Sequence, residues 1–354
     1  MKALILAGGE GTRLRPLTYS IAKQLVPVAN KPVIEYGLES IIHAGIQEIG
    51  IIVTNLQSEI CRVLGDGKRW GANLTYIPQP KPLGLAHAVK TAKDFLGDEN
   101  FIMYLGDNLI TSPIQPLLEE FHSTAPAALI LLTPVPNPEA FGVATIQQDQ
   151  IIHLEEKPRS PKSNLALVGV YLFSSIIHQM IDQLRPSKRG EYEITEAIQL
   201  LIDQKHIVSS HIIKGWWKDT GTVKSILEAN CLVLEDLETQ INGHIDQQTK
   251  LSGRVNIGKD AKIIRSIIRG PAIIGRNCHI EDSFIGPFTS IDQQTIIKKT
   301  EIENSIILQD CKLENIGGRL ENSLLGRGVQ MVQTDQMPRS YQIVVGDSST
   351  ILLP

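Results

Sequence analysis

Apolar positions fall in two rhythms along this chain. Up to about residue 237, short apolar runs at 3–7, 49–54, 74–77, 101–105, 127–133 and 166–173 alternate with stretches of helical spacing at 34–44, 85–95, 114–122, 194–203 and 222–238. Such alternation predicts strands and helices layered in an α/β domain. Ile34, Leu38, Ile41 and Ile42, for example, share one face of a helix and should cover a sheet.

Beyond residue 238 the rhythm changes. Ile257, Ile274, Ile291 and Leu308 stand seventeen residues apart, as do Ile263, Ile280 and Ile297, and again Ile268, Ile285 and Ile302. Ser266, Ser283 and Thr300 keep the same phase. Three short faces per turn, each with one inward aliphatic residue, predict a parallel β-helix whose stacked coils supply the core that no single coil can. A set of Ile-rich antiparallel strands would not hold three interleaved series at one interval. The interval lapses after about Leu313, so the end of the solenoid and its cap, through residue 354, are not defined by the pattern. The expected domains are 1–237 and 238–354.

Length and composition fit this division. A chain of 354 residues suits two cores better than one. With 42% hydrophobic and 20% charged residues it has the make-up of a folded globular protein. A net charge of −4 gives no electrostatic reason to expect nucleic acid or an anionic membrane as partner. Cys61, Cys231, Cys278 and Cys311 form no CxxC pair, which argues against zinc and disulfides. The first apolar run is too short for a signal peptide, and no apolar stretch could span a bilayer, so the cytoplasm is the expected location.

Candidate chemistry begins in the turn after the first strand. GGEGTRLRP at 8–16 offers glycines that let backbone N–H groups approach a phosphate, with Arg13 and Arg15 adding charge. The Rossmann fingerprint would need glycine at Leu14 and a P-loop would end in Gly-Lys-Ser/Thr; neither is present. Asp107 closes an apolar strand in Gly106-Asp107-Asn108, and Asp219 follows Trp216 and Trp217. Such carboxylates suit a divalent cation, and the same tripeptides suit plain turns. Gln79 can donate and accept, matching the imide edge of thymine or uracil. Trp216, Trp217 and His87 read as packing residues.

Taken together, GGEGTRLRPLTYSIAKQLVPV at 8–28 resembles the signature of sugar-1-phosphate nucleotidyltransferases. The likeness is greatest to the long-form glucose-1-phosphate thymidylyltransferases, and extends over YIPQPKPLGLAHAV, MYLGDN, AFGVA, LEEKPRSPKSNLALVGVYLF, RGEYEIT and WWKDTGT in the family's order. It implies a Rossmann-like, GT-A-like mixed-sheet domain followed by a C-terminal left-handed parallel β-helix. It also implies transfer of a nucleotidyl group from dTTP to glucose 1-phosphate. In that reading Arg13, Lys23 and Lys157 are the catalytic cations, and Asp107 and Asp219 hold Mg²⁺. Leu6, Gly8, Gly9, Gly11, Thr12, Gln79 and Gly84 take the nucleotide, while Gly142, Glu156 and the Val168–Gly169 backbone take the sugar. The partners are then the triphosphate and a hexose 1-phosphate, in a homo-oligomer. The alternatives are a UTP-dependent or other hexose-1-phosphate enzyme, a non-catalytic sugar-nucleotide sensor, and an acyltransferase in the solenoid. The sensor would have lost the charged residues. The acyltransferase would rely on His279, the one histidine in the clear repeats.

Overall fold

The computed structural model describes residues 1–148, 150–334 and 341–352. They form two compact units, Met1–Glu10 with Val33–Asp219, and Gly11–Pro32 with Thr220–Pro354. Of the expected cap, 335–340 and 353–354 lie outside the described residues. Among the described residues no helix is long and apolar enough to cross a membrane.

The first unit is built on a mixed sheet. Its main path runs Gln150–Glu156, Gly142–Gln147, Leu165–Phe173, Phe101–Leu105, Lys2–Leu6, Glu48–Val53, Asn73–Pro78. The last four are mutually parallel, and Leu165–Phe173 joins them antiparallel. Ala128–Pro134 pairs with Leu165–Phe173 and, in parallel, with Val208–Ile212. Inner parallel strands are covered on both faces and so must be apolar, whereas Asn73–Pro78, at the end of the path, mixes polar with half-buried apolar residues. Phe101, Ile102, Met103 and Tyr104 are accordingly almost wholly buried. Helix Ile194–Asp203 sends Ile194, Ala197, Ile198 and Leu201 into the same core as Leu4, Phe101 and Phe173.

The sheet and one helix of this unit each carry an irregularity. The pairing of Leu165–Phe173 shifts between Leu167 and Tyr171, where Gly169 has a φ of 80°. This bulge takes Val168 and Gly169 out of the ladder. The helix expected over 85–95 is divided at Ala92 into Leu85–Thr91 and Lys93–Leu96.

Among the described residues the fold of the second unit is a left-handed parallel β-helix of three sheets, six, six and five strands wide. Ile257, Ile274 and Ile291 stack in register, as do Ile263, Ile280 and Ile297, and Ile268, Ile285 and Ile302. All nine are at most 1% exposed, each contributing about 1.5–3 kcal/mol over an exposed side chain. The fourth member of the first series is corrected. Ile291 pairs with Ile307, not Leu308, because that coil is one residue shorter. Later coils lengthen instead, with Leu313 opposite Met331, and the strands continue to Gln330–Val332.

The in-phase hydroxyls form a ladder at one corner. Thr249 Oγ1 accepts from Ser266 N–H, Ser266 Oγ from Ser283 N–H, and Ser283 Oγ from Thr300 N–H, at 3.1–3.2 Å. Each hydroxyl of Ser266, Ser283 and Thr300 also donates to the carbonyl two residues back. It thereby bridges a left-handed corner residue: Arg265, Asp282 or Lys299. Cys278 and Cys311 are buried thiols inside the coils, pushed up to about 12 and about 11 by burial. All four cysteines are free.

Candidate active site

In the first unit the carboxyl ends of the parallel strands are tied to one another by the residues that leave them. Ala7 N–H donates to Ile52 O, Gln79 N–H to Val53 O, and Gly106 N–H to Leu6 O, at 2.7–2.9 Å. Leu6, Gly8, Gly9, Gln79 and Asp107 are therefore delivered to one edge, where open α/β sheets bind ligands.

Gln79 is 6% exposed and its orientation is fixed. Its Nε2 lies 2.8 Å from His87 Nδ1 and 3.4 Å from Gly84 O. An amide nitrogen only donates, so His87 must present a bare Nδ1 and carry its proton on Nε2. Burial, then the charge of Lys90, lowers the His87 pKa and keeps the ring neutral. Both Gln79 donors are thus committed within the protein, and its Oε1 is left to accept. That oxygen would stand 3.4 Å from a Cβ on Gly8, an ordinary contact, so the fold itself does not demand glycine there. Gly84, with φ 101°, is required by the chain: a Cβ would meet Tyr192 O at 2.5 Å. His87 read as a packing residue in the sequence, and only its pairing with Gln79 reveals the further role.

A second group gathers around Asn108. Strands Asn108–Ile110 and Trp217–Asp219 pair antiparallel, placing Asp219 opposite Asn108, next to Asp107. Asn108 is 3% exposed; its Nδ2 donates to Asp107 Oδ1 at 3.0 Å and its Oδ1 accepts from Trp217 Nε1. Tyr104 Oη donates to Asn108 O at 3.1 Å, and burial, with the Asp107 charge, holds that phenol protonated. Gly169 lies against the same residue, a Cβ there being 2.9 Å from Asn108 Oδ1. Val168, on the bulge, is buried. Trp216 and Trp217 are half-buried rather than in the core, and Trp217 stands edge-on to Phe141 at 5.1 Å.

The third group centres on Glu156. Its strand pairs Glu156 with Gly142, and a Cβ on Gly142 would be 2.8 Å from Thr195 Cγ2 and 3.0 Å from Glu156 Oε2. Thr195 Oγ1 and Arg189 Nη1 each donate to the carboxylate at 3.4 Å. Burial first, then the charge of Glu193, raises the Glu156 pKa, while Lys157 and Arg189 oppose the shift. In the RGEYEIT segment Glu193 is buried and Glu196 exposed. Lys157 has a left-handed φ of 45° although a proline follows, and its N–H donates to Phe141 O at 3.0 Å. A backbone strained in this way persists only where its surroundings hold it.

Gly11, Thr12, Arg13 and Lys23 lie in the other unit, on Gly11–Pro32. Gly11 has φ 64°, and a Cβ on it would be 2.9 Å from both Lys23 Cβ and Thr18 Cγ2. Thr18 Oγ1 donates to Gly11 O at 2.8 Å, closing the loop. Arg13 and Thr12 are exposed, whereas Lys23 is 8% exposed.

The carboxylate pair fits a hard divalent cation. Among the described residues no cluster of three or more His, Cys, Asp or Glu is placed to hold a metal. Mg²⁺ commonly takes only one or two protein carboxylates and fills its shell with water and substrate phosphates. Asp107 and Asp219 match that donor set.

A profile of the nucleotidyl transferase family matches residues 2–236. The chain belongs to that family. Two relatives named glucose-1-phosphate thymidylyltransferase match this nucleotidyltransferase along its length. That of Streptomyces antibioticus is 51% identical over 99% of both chains, and that of Streptomyces griseus 49% over 99% of this chain and 98% of its own. A solved UDP-glucose pyrophosphorylase, complexed with UDP-glucose, superposes with a TM-score of 0.58 at 25% identity, covering 66% of this chain and 98% of that one.

Proposed function

We propose that this nucleotidyltransferase moves the thymidylyl group of dTTP onto glucose 1-phosphate, giving dTDP-glucose and pyrophosphate. An oxygen of the sugar phosphate, already ionised, attacks the α-phosphorus. The bond from that phosphorus to the oxygen bridging the β-phosphate breaks, and its electron pair leaves with pyrophosphate. A single displacement needs orientation and charge neutralisation and no enzyme nucleophile. The full-length relatives named for this activity support the reading.

Within the site the observation that carries it is the Gln79 amide, held by His87 and Gly84 O so that only its oxygen is left to pair with a ligand. An acceptor there pairs with the N3–H of thymine or uracil and repels the bare N3 of cytosine. The half-buried Glu156 carboxylate and the unladdered Val168–Gly169 backbone are suited to sugar hydroxyls, with Gly142 leaving room. Lys157 grips the sugar phosphate; Arg13 and Lys23 neutralise the triphosphate, around which Leu6, Gly8, Gly9, Gly11 and Thr12 form the loop. Asp107 and Asp219 would hold Mg²⁺, which when bound supplies positive charge to the phosphate oxygens. Both substrates are charged esters that membranes retain, which supports a cytoplasmic site of action.

Pyrophosphate release across five triphosphates and a panel of hexose 1-phosphates tests the assignment. The highest kcat/KM is expected with dTTP and glucose 1-phosphate; faster release with a purine triphosphate or CTP would refute it. UTP is the second reading, since uracil offers the same N3–H and differs by one methyl, worth about 1–3 kcal/mol.

A further inference from the structure

Gly11–Pro32, which carries Arg13 and Lys23, groups with the solenoid, and it meets the coils at a buried polar junction. Its end is a hairpin, Pro27–Val28 paired with Lys31–Pro32, closed by Ala29 and Asn30 at φ 48° and 61°. Two left-handed residues make the tight turn that glycine and asparagine favour. Alanine in the first of those places is strained by its Cβ, so something must hold it there.

Asn230 provides the hold. It lies on helix Val223–Glu235 and is fully buried. Its Oδ1 accepts from Ala29 N–H at 2.9 Å and from Ser290 Oγ at 2.6 Å, and its Nδ2 donates to Phe288 O at 2.9 Å. Beside it Asn30 Nδ2 donates to Ile291 O at 2.8 Å. One amide thus fastens the strained turn to a coil that stacks on its neighbours through Thr289–Ile291. At the other end of the segment, a Cβ on Gly326 would stand 3.2 Å from Leu17 Cδ2, a second close approach to the coils.

We propose that Asn230 is a positioning residue for the triphosphate-binding segment, acting through the left-handed turn at Ala29. The inference rests on the roles given above to Arg13 and Lys23. Because Glu156 and Lys157 are not on this segment, the effect should fall on dTTP and spare glucose 1-phosphate.

The test is steady-state pyrophosphate release and thermal unfolding of full-length Asn230→Ala, Ala29→Gly and the double variant. Asn230→Ala should lower kcat/KM for dTTP at least tenfold with little change in KM for glucose 1-phosphate. Glycine adopts the turn unaided, so Ala29→Gly should return the double variant to within threefold of wild type. Its Tm should stay low, since Phe288 O and Ser290 remain unpaired by Asn230. Wild-type kinetics in Asn230→Ala, or no rescue by Ala29→Gly, would overturn the proposal. If Asn230→Ala does not fold, Asn30→Ala should lower kcat/KM at least threefold and Asn30→Gly should not; equal kinetics in the two would likewise overturn it. If the wild type releases no pyrophosphate with any pair, the enzymatic reading fails, and trypsin decides the inference. Cleavage after Arg13 or Lys23 should quicken in Asn230→Ala, or in Asn30→Ala where that variant replaces it, and slow again with Ala29→Gly or Asn30→Gly. Unchanged cleavage would refute it.

Discussion

Replacing Gly142 by alanine isolates one contact. No left-handed φ marks Gly142, so the backbone accepts a side chain and the effect is steric alone. The new Cβ would lie 2.8 Å from Thr195 Cγ2 and 3.0 Å from Glu156 Oε2; to reach ordinary contact near 3.4 Å they must recede by about 0.6 and 0.4 Å. Thr195 is 2% exposed at the start of a packed helix, so the carboxylate should yield. A displaced acceptor loses a hydrogen bond to a sugar hydroxyl. Bonds to charged groups contribute about 1.5–3 kcal/mol, or roughly ten- to 150-fold in kcat/KM. Varying each substrate in turn should show the loss against glucose 1-phosphate, with KM for dTTP unchanged. Thr195→Ser removes the nearer clash while keeping a hydroxyl toward Glu156, and in the Gly142→Ala background it should recover part of the loss. Wild-type kinetics in Gly142→Ala, or an equal loss against both substrates, would refute the placing of Glu156 on the sugar.

Asp107→Asn and Asp219→Asn should each remove most turnover while Tm moves little, and excess chelator should silence the wild type; full rates with chelator would exclude the carboxylates as metal ligands. Burial lowers the His87 pKa from 6.5, so the unfolded chain takes the proton first and stability falls as pH drops below 6.5. Protonation at Nδ1 also breaks the bond to Gln79, so KM for dTTP should rise over that window in steady-state assays, and His87→Phe should abolish the pH dependence. Glu156 runs in the opposite sense: its raised pKa means that stability is lost as pH climbs from 4.5 through the folded value. Calorimetry should therefore find Glu156→Gln gaining in Tm relative to wild type as pH rises, although its turnover falls.

The buried parallel strands were legible because both faces need apolar residues; Phe101–Leu105 matches its expected limits. Strands with mixed polarity gave no such signal. Gln150–Glu156 reads QIIHLEE and Val208–Ile212 reads VSSHI, and neither was expected as a strand. Gly142 and Glu156 could be named from the family's motifs, but their cross-strand register needed the fold. Asn108 and His87 were hidden for a related reason, since each acts through a partner outside its own element, Trp217 for Asn108 and Gln79 for His87. The seventeen-residue series was plain until one coil lost a residue, which shifted Ile307 into the place expected of Leu308.

The hydroxyl ladder makes the coil a unit of growth. Each Ser or Thr accepts from the coil that follows, and that coil offers an equivalent oxygen to the next. A tandem duplication of seventeen residues would arrive with donor, acceptor and inward aliphatic side chains already matched to both neighbours. A coil can lose or gain a single residue at a corner and keep its register, but an insertion far from a whole coil in length would break the phase, so the solenoid can change its length in whole coils far more easily than in large fractions of one.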